Sequence, residues 1–162
     1  MLRLFVLALS LALGGFPALA ATTPNSVIVP QVPNRGIVQF LQGTDSAGTY
    51  KTLYTGGANG SKCVGIYATT NDASASHLVT IQIKVSTVLY GGMAVTVPVN
   101  SGFANAAPAV NMMAPANWPG LPIDSDGNPF FYLAASDLLV GTFATNLTSM
   151  DVLNLVAVCA DF

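Results

Sequence analysis

Apolar and polar residues alternate with a period of two along much of this chain. In residues 77–86, one set of alternate positions is aliphatic: Val79, Ile81, Ile83 and Val85. The other set contains Leu78, Thr80, Gln82 and Lys84. Because successive side chains of a strand point to opposite faces, this pattern predicts a strand that turns the four aliphatic residues to a core.

The same period predicts seven further strands, separated by segments rich in Gly, Pro, Asn and Ser. The predicted strands cover residues 36–41, 49–55, 61–69, 77–86, 92–99, 129–134, 138–145 and 152–161. In the third strand, Val64, Ile66 and Ala68 are predicted on one face and Cys63, Gly65 and Tyr67 on the other. A break is predicted at residues 90–92, and the longest connection within residues 100–123.

Helix signals are scarce after the first 20 residues. The chain has no Glu and few Lys, whereas Thr, Val, Gly and Asn are frequent, a composition that favours strands and turns. Short strands with punctuated turns predict an all-β fold, an antiparallel β-sandwich. A jelly roll is the first choice and an immunoglobulin-like sandwich the second.

The N-terminus has the layout of a secretory signal peptide. Arg3 precedes an apolar run over residues 4–13, and residues 18–20 form an Ala-Leu-Ala cleavage motif. The apolar run is shorter than a membrane span requires, although an uncleaved anchor helix is the alternative interpretation. We predict a signal peptide at 1–20, an extended arm at 21–34 and a single domain at 35–162. We therefore expect a secreted protein, extracellular or periplasmic, with no membrane association after cleavage.

Charge is low after removal of the signal peptide. Four basic residues remain, Arg35, Lys51, Lys62 and Lys84, against seven Asp. A nucleic-acid surface requires clustered Lys and Arg, so nucleic acid is not an expected partner. A weakly charged polar surface does little to repel further copies of the same chain. The expected partner is accordingly another copy or another subunit of an assembly.

Two cysteines, Cys63 and Cys159, lie in apolar alternating segments. In an exported protein an even number of cysteines favours a disulfide. A jelly roll commonly places a strand from its first half beside its last strand, which would bring Cys63 near Cys159. The alternative is a pair of buried thiols.

Asp124 and Asp126 stand close together in the segment IDSDGNPFF. Asp-Gly and Asn-Pro are turn dipeptides, and Asp side chains cap their own backbone in tight turns. Calcium requires six to eight oxygen ligands, more than this segment supplies, so a turn is predicted and a weak calcium site is the alternative. No metal and no cofactor are expected.

His77 is the only histidine, and no nucleophile-elbow sequence accompanies it. A structural role is predicted for His77, and the protein is expected not to be an enzyme because no acid, base or nucleophile constellation stands out. The alternative function is a lectin-like module that binds a surface glycan through aromatic side chains. Its candidate residues are Tyr50, Tyr54, Tyr67, Tyr90 and Trp118.

Several segments carry a resemblance to known sequences. They are RGIVQFLQGTDSAGTYKTLYTGGANGSKCVGIYATTNDASASHLVTIQI, YGGMAVTVPVNSGFAN, WPGLPIDSDGNPFFYLAASDLLVGTFAT and VAVCADF. Over residues 35–162 the chain resembles a group of small uncharacterised β-sandwich proteins of bacteria and of tailed phages or prophages. The resemblance implies a structural role, of the virion or decoration type, without catalytic residues. The signal peptide is a departure from that group.

Overall fold

A computed structural model describes residues 32–103, 107–148 and 150–162, in which nine strands and no helix are found. The strands are β1 (Val32–Leu41), β2 (Lys51–Thr55), β3 (Ser61–Thr70), β4 (His77–Val85), β5 (Val88–Val97), β6 (Val110–Asn111), β7 (Phe131–Leu133), β8 (Leu138–Phe143) and β9 (Val152–Asp161). The signal peptide and residues 21–31 of the predicted arm lie outside the described residues.

The strands form two antiparallel sheets packed face to face. Sheet A has the order β1–β9–β3–β6, with β7 also paired to β3, and sheet B has the order β2–β8–β4–β5. Strands β1 to β4 alternate between the sheets, β5 forms a hairpin with β4 inside sheet B, and the last strand lies between β1 and β3. This is the strand order of a jelly-roll β-sandwich.

The core lies between the sheets, where the inward positions are apolar. Its largest fully buried side chains include Phe40, Phe143, Ile66, Ile81 and Leu155. Phe40 of sheet A contacts Phe143 of sheet B with ring centroids 4.9 Å apart. The inward face predicted for the fourth strand is correct as far as Ile83, which is partly buried against the core. Val85 is exposed because β4 ends there in the hairpin to β5.

The faces predicted for the third strand are correct from Ile66 to Ala68 but wrong at Cys63 and Val64. The pairing of β3 with β9 shifts register between Cys63 and Gly65, so β3 contains a bulge at Val64. A bulge adds one residue and breaks the alternation of faces. As a result Cys63 and Ile66 both point into the core, and Val64 is exposed.

The break predicted at residues 90–92 is also wrong, because these residues belong to β5. A Cβ at Gly92 would collide with the backbone carbonyl of Ile81, and the β4–β5 register shifts between Gln82 and Ile83. Glycine inside a strand often marks such a bulge or a close approach of backbones. Gly92 thus continues the strand.

Two further boundaries differ from the sequence prediction. The two-residue strand β6 pairs with β3 inside the segment predicted to be irregular, so the longest connection between described strands is residues 112–130. β1 begins at Val32, and residues 32–34 at the end of the predicted arm pair with β9. The period-two pattern predicts neither feature. Strand β6 is too short to show a period, and Pro33 near the start of β1 is a residue that normally argues against a strand.

One side of the sandwich is closed by contact between the edge strands of the two sheets. Gly36 of β1 has no Cβ, which allows the backbone carbonyl of Leu53 in β2 to approach. The Lys51 Nζ of β2 also donates a hydrogen bond to the Gln39 carbonyl of β1, at 2.8 Å. Strand β5 forms the opposite edge of sheet B.

Candidate functional site

The outer face of sheet A carries a patch of apolar side chains, four of them exposed and one, Val156, half-buried. Cross-strand register aligns Ile37 of β1, Val156 of β9 and Tyr67 of β3 in one row. Val158 and Val64 lie beside this row and are exposed. The outer face of an antiparallel sheet normally alternates to polar residues, so this face is unusual in being apolar at its centre. We call these five residues the sheet A patch.

Polar residues border the sheet A patch. On one side, Gln39 Nε2 donates to Asn154 Oδ1 at 2.8 Å, and the same register row continues to Thr69. On the other side, the register pairs Arg35 with Val158 and Lys62 with Ala160. An apolar centre inside a polar rim is the usual anatomy of a protein–protein interface.

Asp72 and His77 form a buried network at the start of β4. The His77 Nε2 and Asp72 Oδ2 atoms are 3.0 Å apart, and both side chains are fully buried. The His77 Nδ1 atom lies 3.0 Å from the Thr145 carbonyl oxygen. Both ring nitrogens therefore lie within hydrogen-bond distance of an oxygen atom. His77 thus contacts both the loop before β4 and the loop after β8.

The Asp72 carboxylate accepts three backbone hydrogen bonds besides its contact with the histidine. The donors are the N–H groups of Ser74, Ala75 and Thr148, at 2.7, 2.9 and 3.1 Å. Burial alone would raise the pKa of Asp72, but these hydrogen bonds outweigh it and hold the pKa well below the ordinary 3.8. The network joins the loop before β4 to the loop after β8. Sequence reasoning missed Asp72, because no local motif indicates which backbone groups a folded loop will present.

Asp161, near the C-terminal end, connects the two sheets. Its Oδ1 atom accepts hydrogen bonds from Ser61 Oγ of β3 and Tyr54 Oη of β2, each at 2.5 Å. These two donors lower the pKa of Asp161, and burial together with the nearby carboxylate raises the pKa of Tyr54. The contact positions β2 against sheet A, and sequence analysis did not anticipate it.

Cys63 and Cys159 form the disulfide expected from the sequence. The two residues are direct cross-strand partners in β3 and β9, with Cα atoms 4.0 Å apart and a sequence separation of 96. Both are buried. The bond therefore joins the two central strands of sheet A on their core side.

Asp124 and Asp126 lie in a tight turn. Asp124 Oδ1 accepts the backbone N–H groups of Asp126 and Asn128, at 3.1 and 2.8 Å, and Gly127 has a φ of 84°. The hydrogen bond from Asn128 is the main reason that the pKa of Asp124 is lowered. Among the residues that the structure describes, no group of three His, Cys, Asp or Glu side chains could hold a metal ion.

Replacing Asp124 by Ala is expected to lower the melting temperature by a few degrees, because the turn loses both side-chain hydrogen bonds. Asp126→Ala is the matched control and should change it less, since no hydrogen bond to the Asp126 side chain is found within the described ranges. Calcium should leave the melting temperature of all three proteins unchanged. A calcium-dependent rise that disappears in Asp126→Ala would contradict this expectation.

The aromatic residues proposed for glycan binding do not share one surface. Trp118 is only partly exposed and packs against the core and Phe131, with ring centroids 5.4 Å apart. Tyr54 is buried. Tyr67 lies on the outer face of sheet A, whereas Tyr90 belongs to β5 of sheet B. These four side chains therefore do not form a single aromatic surface, and Tyr50, the fifth candidate, is exposed.

No helix long and apolar enough to cross a membrane occurs in residues 32–103, 107–148 or 150–162.

Comparisons with known proteins give limited results. No protein-family model matches the chain, and no curated protein matches it. Among solved structures, the chain is similar to a chain from the acid-stable capsid of the Helicobacter pylori bacteriophage KHP30. The two share 10% sequence identity with a TM-score of 0.43, over 82% of this chain and 90% of that chain.

Proposed function

We propose that this protein is a non-enzymatic structural subunit that assembles with other copies through its β-sandwich. The observation that carries the proposal is the sheet A patch, an apolar centre within a polar rim on a sheet face that has no covering element among the described residues. Exposed contiguous apolar surface of this kind marks interaction sites. The virion-associated form of the proposal rests on the sequence resemblance of residues 35–162.

The size of the outer face fits such a role. Strands β1, β9 and β3 contain ten residues each, so each is about 33 Å long, and the face is roughly 15 Å wide at normal strand spacing. Two copies packed through this face would bury roughly 1,000 Å² in total, the lower limit for a specific interface. Further contacts would add to this area.

The compartment is part of the proposal. A disulfide between buried strands persists in oxidising surroundings, which agrees with the signal peptide predicted at 1–20. The disulfide supports the proposal of an assembly outside the cytoplasm, at a surface or in an extracellular particle.

The proposal is tested by measuring the mass of the exported protein in solution over a range of concentrations. We expect the wild type to form oligomers. Ile37→Lys should weaken them on the order of tenfold or more, because it introduces a charge into the desolvated centre of the interface. Ile37 is 59% exposed, so the substitution should leave the fold intact.

Ile123→Lys is the matched control, since Ile123 is also 59% exposed but lies in the 112–130 connection. It should assemble as the wild type does. A wild-type protein that stays monomeric at every concentration would contradict the proposed function.

A further inference from the structure

We infer that β5 pairs with the β5 strand of a second copy, in antiparallel orientation about a two-fold axis, so that sheet B continues across the dimer. This inference deepens the proposed function, on which it rests, by naming one interface and its partner. It concerns an edge of sheet B and is separate from the sheet A patch.

The outer edge of β5 is long, and no strand of the described residues pairs with it. Its ten residues, VLYGGMAVTV, contain no charged residue and no proline. They pair only with β4, and no other hydrogen bond of their backbone groups is found within the described residues. Natural proteins protect exposed edges with lysine, proline, short strands or covering elements. An edge that lacks these devices is suited to pairing with another strand.

The edge strands on the closed side of the sandwich, β1 and β2, differ from β5 in carrying such protection. β1 contains Pro33 and Arg35, and β2 packs alongside it through the close approach at Gly36. Edge β2 has only five residues, one of which is Lys51. Lysine, proline, a short strand and a covering strand are thus found on the closed side of the sandwich, whereas β5 has only the bulge at Gly91.

Exposed apolar side chains surround both ends of β5. Val88 and Tyr90, next to the hairpin, are 51% and 53% exposed, and Leu89 is also exposed. Val99, just beyond the other end, is exposed as well. Antiparallel pairing of two identical strands places the N-terminal end of one beside the C-terminal end of the other. The exposed apolar side chains at these two ends would then cover one another. A two-fold contact of this kind is the commonest arrangement in homo-oligomers.

A second copy of β5 fits this edge better than the N-terminal arm does. In the arm sequence, Pro24 and Pro30 leave only five consecutive residues, 25–29, with backbone N–H groups. That run could form backbone hydrogen bonds with about half of the ten-residue edge. A second β5 matches its full length.

Lysine substitutions on the edge test the inference. Ala94→Lys with Thr96→Lys, both at exposed positions of β5, should weaken dimerisation on the order of tenfold or more, because two-fold pairing juxtaposes like charges. Thr55→Lys on the exposed edge of β2 is the control and should leave the dimer unchanged. Circular dichroism of each variant checks that the sandwich is folded.

Cysteine cross-linking gives a second measurement on the full chain. Single cysteines at Leu89, Tyr90, Ala94 and Thr96 are oxidised alone and in pairwise mixtures, with Thr55→Cys as control. In an antiparallel two-fold pair, a residue further along one strand lies opposite a residue further back on the other. The two residue numbers of every cross-linked pair should therefore add up to nearly the same total.

The outcomes separate this inference from the proposed function. Oligomers that persist in the lysine variants and give no such cross-links would overturn β5 pairing while leaving the proposed function standing. Oligomers lost on deletion of residues 21–31, but unaffected by the lysines, would replace β5 with the arm. A wild type that is monomeric throughout would overturn both.

Discussion

Removal of the Cys63–Cys159 disulfide is expected to lower the free energy of unfolding by about 4 to 5 kcal/mol. The bond closes a loop with a sequence separation of 96, and a cross-link over such a length removes much of the conformational entropy of the unfolded chain. The loss is comparable to the whole stability of many single domains. The double variant Cys63→Ala with Cys159→Ala should therefore be largely unfolded at 37 °C.

Guanidinium unfolding of the oxidised, the reduced and the doubly substituted protein measures this effect. The reduced protein controls for the atoms lost in the Ala variant, because it keeps both sulfur atoms and lacks only the bond. Labelling of the denatured, unreduced protein should detect no free thiol. Two reactive thiols, or a difference below about 1 kcal/mol between oxidised and reduced protein, would show that the disulfide does not stabilise the fold.

Separation of the Asp72–His77 pair is expected to cost about 3 to 5 kcal/mol, because a buried group that loses its partner keeps its desolvation penalty. Both side chains are fully buried. Asp72→Ala and His77→Ala should each destabilise the protein by this amount. The double variant should lose less than the sum, since the two residues belong to one network.

The same network gives a pH dependence of known sign. The pKa of Asp72 is lower in the folded protein than its ordinary 3.8, so its contribution to stability is complete above about pH 5 and is lost as the pH falls further. Urea unfolding from pH 7 to pH 2 should show this decline in the wild type. Because Asp45 and Asp161 also have lowered pKa values, Asp72→Ala should reduce the decline without abolishing it. If the free energy of unfolding depends on pH identically in both proteins, groups other than Asp72 cause the loss of stability in acid.

The sequence determined the fold class and most strands of this protein. Period-two alternation located β9 at its observed bounds, Val152–Asp161, and placed Val79 and Ile81 in the core. It also favoured the jelly roll that pairs Cys63 with Cys159. These predictions succeed because a strand that buries one face has an apolar residue at every second position, a pattern visible within a short segment of sequence.

Other features depend on the tertiary structure and cannot be predicted from the alternation of apolar and polar residues. The bulges at Val64 and Gly91 interrupt the alternation of faces within β3 and β5, and they depend on the neighbouring strand. The partners of Asp72 come from loops up to 76 positions away in sequence, and the row of Ile37, Val156 and Tyr67 joins three separate strands. Whether β5 lies at an edge depends on the order of strands in sheet B. Such relations arise from pairing between distant segments, so no local pattern of residues contains them.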